Sequence, residues 1–93
     1  DFNKPDSPAV ATEFCGTSIT SNGPGAQLIA TALAKNPHIR YGNGSRGYIT
    51  MELTPQRCTA SVRAVDDIKR ADSGIATAAT FVVENGRIGA QRA

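Results

Sequence analysis

Gly47-Tyr48-Ile49-Thr50-Met51-Glu52-Leu53-Thr54-Pro55-Gln56-Arg57-Cys58-Thr59-Ala60-Ser61-Val62-Arg63-Ala64 reads as two strands around one turn. Ile49, Met51 and Leu53 alternate with Tyr48, Thr50 and Glu52, the period-two pattern of a strand with one face covered. Thr54-Pro55-Gln56-Arg57 supplies a tight turn, with proline where its fixed φ is favourable. Cys58, Ala60, Val62 and Ala64 then alternate against Thr59, Ser61 and Arg63. After a polar loop over 66–74, a third strand is expected over 75–83, with Ile75, Ala79, Phe81 and Val83 facing the same apolar side. Asn85-Gly86 marks a further turn, and the tail 87–93 shows no strong preference. The pattern is an antiparallel meander.

Upstream of it, Asp1 to Pro8 is polar and punctuated by proline, as expected of a surface segment. Val10, Thr12 and Phe14 alternate with Ala11, Glu13 and Cys15, which predicts a strand over 9–16 with Val10 and Phe14 on the apolar side. Asn22-Gly23-Pro24-Gly25 breaks the backbone. One helix is expected over 26–35, where Leu28, Ile29, Ala32 and Leu33 gather on one side. Asn36 ends it, because Pro37 disfavours a helical conformation in the residue before it. A short extended piece over 38–41 and a glycine-rich turn, Gly42-Asn43-Gly44-Ser45, lead into the first strand of the meander.

Ninety-three residues permit one small domain, and its apolar content is poor in kind. Alanine supplies much of the 40% hydrophobic fraction, there is no tryptophan, and the aromatics are Phe2, Phe14, Phe81, Tyr41 and Tyr48. Alanine buries little apolar area, at roughly 25 cal/mol per Å². Such strands suit one wall of a larger core better than an independent one. The net charge of +2 is scattered, with Lys69-Arg70 the one adjacent basic pair, so no basic stripe points to nucleic acid. No run reaches bilayer-spanning length and no segment reads as a signal peptide. A start at Asp1 in place of methionine suggests a processed or trimmed chain.

Groups able to carry chemistry are few. His38 is the single histidine; its flanks, Pro37 and Ile39, suit a packed residue as well as a general base. Thr17, Ser18, Thr20 and Ser21 form a hydroxyl cluster suited to a phosphate oxygen or to the local backbone. No G-x-S-x-G elbow surrounds Ser18. Gly42 to Gly47 lacks the Lys-Ser/Thr ending of a phosphate loop and precedes a strand. Arg46 within it is a candidate substrate-binding residue, since guanidinium matches phosphate geometry, with a solvated turn residue as the plainer role. Asp66, Asp67 and Asp72 lack EF-hand spacing and read as a soluble loop. Cys15 and Cys58 are too far apart in sequence for a CxxC motif. They fit either two buried thiols or a disulfide, which would contribute about 4 kcal/mol on the chain-entropy model.

Several ordered phrases add a resemblance. Glu13-Phe14 with Gly16-Thr17-Ser18-Ile19-Thr20-Ser21, Asn36-Pro37-His38-Ile39, Arg46-Gly47-Tyr48 and Val65-Asp66-Asp67 resemble the alkaline phosphatase D family, and the likeness runs from Asp6-Ser7-Pro8 to Gln91-Arg92-Ala93. The resemblance implies the C-terminal segment of a secreted bacterial metallophosphoesterase, related phospholipase D enzymes included. It implies an α+β piece of one helix and an antiparallel meander. That piece would complete a four-layer α/β/β/α sandwich, with residues 1–93 as part of the catalytic domain and not an independent one.

In that family iron and calcium together activate water for attack on phosphorus. Their ligands lie mainly N-terminal to this segment, and none is carried over to it. The implied partners are a longer N-terminal chain of the same precursor and a phosphate ester or phospholipid substrate, with no nucleic acid and no transmembrane segment. His38 becomes a candidate catalytic residue near the site. Cys15 does not stand for the family's metal-binding cysteine, and both cysteines replace residues usual in the family, which favours a Cys15–Cys58 disulfide in an exported protein. The alternative is a non-catalytic binding or inhibitory module on an enzyme-like scaffold.

Overall fold

The computed structural model describes residues 1–93 and contains one helix and one sheet. Helix α1 spans Ala26–Lys35; strands β1 (Gly47–Leu53), β2 (Arg57–Val65), β3 (Ile75–Glu84) and β4 (Gln91–Arg92) form an antiparallel sheet in the order β1-β2-β3-β4. The α+β class, the helix and the meander are those the sequence pattern implies.

Pairing explains which side chains share a face. Ile49, Met51 and Leu53 lie opposite Val62, Ala60 and Cys58, which lie opposite Ala79, Phe81 and Val83. Directly opposed residues project to the same side of a sheet. One face is therefore apolar, while Tyr48, Thr50, Glu52, Arg63, Ser61, Thr59, Thr80 and Val82 make up the other. Thr54 closes the first hairpin. Its N–H donates to Arg57 O (2.8 Å) and its hydroxyl accepts from Arg57 N (3.1 Å) and Gln56 N (3.3 Å). The second hairpin is longer: Asp66 N donates to Gly74 O, and Asp67 organises the loop by accepting from Lys69 N. Between β3 and β4, Arg87 N donates to Glu84 O with Gly86 at φ 80° and Asn85 at negative φ, the signature of a type II turn.

Four expectations are corrected. Residues 9–16 form no strand: none of their backbone groups bonds to other backbone, and Val10 is 94% exposed. Alternation there is real, but a strand needs a neighbour to complete its ladder, and the meander offers this segment none. Ile75 does not share the apolar side with Ala79. The register shifts between Val62 and Arg63, leaving Ala78 as an extra residue, so Ile75 pairs with Val65 on the opposite face. The tail does pair: Gln91 and Arg92 lie opposite Val82 and Phe81. Lastly, His38 sits in a turn closed by Ile39 N donating to Asn36 O (2.9 Å), with Pro37 at the second position, and not in an extended piece.

Very little of the chain is buried. Gly47, Ala60 and Ala79 alone qualify. Aromatic contacts hold the remaining segments to the apolar face: Phe81 packs edge-on against Tyr41 (5.3 Å between centroids) and beside Phe14 (6.4 Å). The guanidinium of Arg92 lies over both Tyr41 and Phe81, at 5.4 and 5.7 Å, anchoring β4 by cation–π attraction. Toward the first hairpin turn that face is open, with Met51 46% and Leu53 76% exposed. Helix α1 packs on the 42–44 loop through Ile29 and Leu33, leaving Leu28 64% exposed. Asn36 caps it, donating from its side chain to Ala32 O (2.8 Å).

Ala60 gives a direct test of packing where the sheet is closed. It is 0% exposed between Met51 and Phe81. Ala60→Val gains some strand propensity, up to about 1 kcal/mol, but inserts two methyl-sized groups where no space remains, which costs about 1–3 kcal/mol. Net destabilisation is expected, read as a lower urea midpoint; an unchanged or higher midpoint would show that the layer over Ala60 is loose.

Candidate functional site

The densest polar arrangement lies where the 17–25 segment crosses the 42–47 segment. Both are glycine-rich, and the reason is geometric. A Cβ on Gly23 would fall under 3.0 Å from Gly44 O, and one on Gly44 equally close to Pro24 O. The two backbones touch without side chains between them. Asn43 shapes its own turn, accepting from Ser45 N (2.8 Å), and its amide donates to the Tyr41 hydroxyl (3.2 Å).

Arg46 follows that turn and reaches back across the crossing. Its Nε donates to Ser21 O (2.9 Å), one terminal nitrogen to Asn22 O (2.7 Å), and the other to the Thr17 hydroxyl. Its own carbonyl accepts from Val65 N (2.7 Å), and the next residue, Gly47, donates its N–H to Ser18 O (3.2 Å). Ser18 and Ser21 share a hydrogen bond between hydroxyls. The Thr17–Ser21 hydroxyl cluster is thus gathered onto the end of β1 by Arg46.

The other candidate residues stand apart from this cluster in their bonding. His38 is exposed and stacks on Phe2, with ring centroids 4.4 Å apart, and its ring makes no hydrogen bond. Cys15 is exposed and Cys58 is half-buried on the apolar face; both are free thiols in this structure. Asp66, Asp67 and Asp72 belong to the β2–β3 loop, where Asp72 pairs with Arg70 at 3.4 Å on the surface. No three of the His, Cys, Asp and Glu side chains converge to hold a metal ion. The residues of this chain do not by themselves fit an iron–calcium pair. No helix is long and apolar enough to cross a membrane.

Sequence reasoning named Arg46 and the hydroxyl cluster separately but not their union, since 24 to 29 residues separate the bonded partners. The signal that was available is the pairing of two glycine-rich breaks, each of which makes room for the other. Arg92 was missed altogether, because a two-residue strand carries no pattern.

The chain thus brings together an open antiparallel meander and a crossing of two glycine-rich loops held by an arginine. The family model described as PhoD-like phosphatase matches residues 1–62, and the chain belongs to that family. It is 37% identical over 95 residues to alkaline phosphatase D of Bacillus subtilis (strain 168), covering 99% of this chain and 16% of that protein. A solved structure of PhoD superposes with a TM-score of 0.84 at 36% identity, again over 99% of this chain and 18% of the other. The chain therefore spans less than a fifth of the length of the relatives it matches.

Proposed function

We propose that this chain is the C-terminal segment of a secreted, metal-dependent phosphoric ester hydrolase, working on phosphodiesters in the manner of a phospholipase D or on monoesters in the manner of an alkaline phosphatase. It closes a four-layer sandwich whose remaining layers, metal ions and most catalytic residues belong to a longer N-terminal portion, carried on a companion chain of the same precursor. Iron and calcium held there supply Lewis acidity toward the phosphoryl oxygens. This chain contributes a sheet wall, a helix and the arginine-held hydroxyl loop, with His38, exposed on its own turn after the helix, for a role at the substrate.

The observation that carries the reading is the uncovered surface. The chain exposes 6968 Å², whereas a folded monomer of its 9.7 kDa exposes about 5,100 Å². An excess of roughly 1,800 Å² is about twice what one partner gives up in a standard interface. Membership of the PhoD-like phosphatase family supports the remainder of such a phosphatase as that cover.

The test is a chromogenic assay on the protein as purified from its native source, with phosphate mono- and diester substrates, metal analysis and intact-mass measurement. Turnover, bound metal and a co-purifying longer polypeptide are expected. A lone 9.7 kDa species would overturn the companion-chain arrangement. Absence of both metal and turnover in an assembled protein would favour a non-catalytic binding module.

A further inference from the structure

We propose that Arg46 is a positioning residue of the phosphoesterase: it does not bind the substrate but holds the hydroxyl-bearing loop Thr17–Asn22 in the one shape in which that loop meets phosphoryl oxygens. The positioning role rests on the phosphoesterase reading; the holding itself does not.

Four observations support it. First, the acceptors on the guanidinium come from both ends of the loop, Thr17 at one and Ser21 and Asn22 at the other. A planar fork of five N–H groups can span such a set, and three of the five are committed here. Second, the loop has few other means of keeping its shape. Every residue from 17 to 22 is exposed, Ile19 included, so no apolar side chain anchors it. What remains is the Ser18–Ser21 hydroxyl bond and Gly47 N on Ser18 O.

Third, the strap is fixed at its base. Arg46 leads directly into β1 and its carbonyl takes the N–H of Val65, so the guanidinium is carried on the sheet. Fourth, its charge is not neutralised: the sole ion pair in the chain is Arg70 with Asp72. A cation backing four hydroxyl-bearing residues leaves a donor-rich, electropositive loop, which suits phosphoryl oxygens. Loops set on a rigid scaffold are where binding groups concentrate.

The experiment uses the assembled enzyme, with p-nitrophenyl phosphate and bis-p-nitrophenyl phosphate as probes, alongside amide exchange of the peptide covering 17–25. Arg46→Ala is expected to speed exchange in that peptide and to lower kcat/KM by about 10²-fold, the scale of a small misplacement of reacting groups. Arg46→Lys restores neither, because one ammonium cannot span the loop, whereas added guanidinium restores both together. Thr17→Val, which removes one acceptor and keeps Arg46, gives a smaller change in the same direction and guards against an Arg46 variant that fails to assemble.

Unchanged exchange in Arg46→Ala with a raised KM would overturn the proposal in favour of direct substrate contact. Faster exchange with unchanged kcat/KM would show the loop to lie away from the site and overturn it too. A wild-type enzyme inert on every phosphate ester would sink the phosphoesterase reading and the positioning role with it, and faster exchange in Arg46→Ala would then identify a strap without that chemistry.

Discussion

Gly47→Ala will unfasten the sheet from the hydroxyl loop and destabilise the assembled protein by more than about 3 kcal/mol, beyond the ordinary range for a single methyl. Gly47 is buried, and a Cβ there would collide with Arg63 O and lie 2.9 Å from its carbonyl carbon. The obstruction is backbone, which cannot rotate away as a flexible side chain can. β1 must therefore move off β2 at its first pair, Gly47 with Ala64. That movement also disturbs the Gly47 N–H on Ser18 O and the Arg46 carbonyl under Val65 N. Gly16→Ala and Gly25→Ala are the controls, since a Cβ at either meets nothing within 4 Å and neither glycine has positive φ. Urea midpoints should fall steeply for Gly47→Ala and scarcely change for the controls. Three similar midpoints would mean that the β1–β2 approach at Gly47 is not tight.

How far residues alone foretold this arrangement depends on the range of the interaction that decides each element. Helix α1 and the β1–β2 hairpin are legible because local terms agree: apolar spacing, the Asn36-Pro37 stop, and the Thr54-Pro55 turn. The bulge at Ala78 was not legible. Ile75, Thr77, Ala79 and Phe81 keep an unbroken alternation in sequence, and it is the partner strand that imposes the slip. The 9–16 segment fails for the opposite reason. Its alternation describes a strand, but pairing is a two-body property, and no strand of the sheet pairs with it. At the candidate site, residue types were visible and their meeting was not. Arg46 could be named for its phosphate-like geometry, yet only folding shows its donors engaged on Ser21, Asn22 and Thr17. The family resemblance, in contrast, was legible from short ordered phrases, and the PhoD-like phosphatase match over residues 1–62 agrees with it.

Prepared alone, the 93-residue chain will show no sharp cooperative unfolding transition and will bind a hydrophobic dye, and both properties will revert in the proposed assembly with a longer N-terminal portion. The dimensions require it. A slab of 42 × 34 × 17 Å with a radius of gyration of 14.8 Å is more extended than the value of about 12 Å expected for a compact domain of this length. A slab has two broad faces, and one of them carries Ile49, Met51, Leu53, Val62, Phe81 and Val83. Phe14, Tyr41 and Arg92 pack around Phe81, while Met51 and Leu53 stay 46% and 76% exposed. Only two alanines and a glycine are buried and no large apolar side chain is fully covered, so apolar burial is weak against an ordering cost of about 1–2 kcal/mol per residue. The dye experiment thus reads the same uncovered surface on which the docking argument stands. Self-association of the isolated chain through its apolar face is compatible with it; a monomer that unfolds in one steep transition and leaves the dye dark is not, because such a chain would have found its stability without any cover.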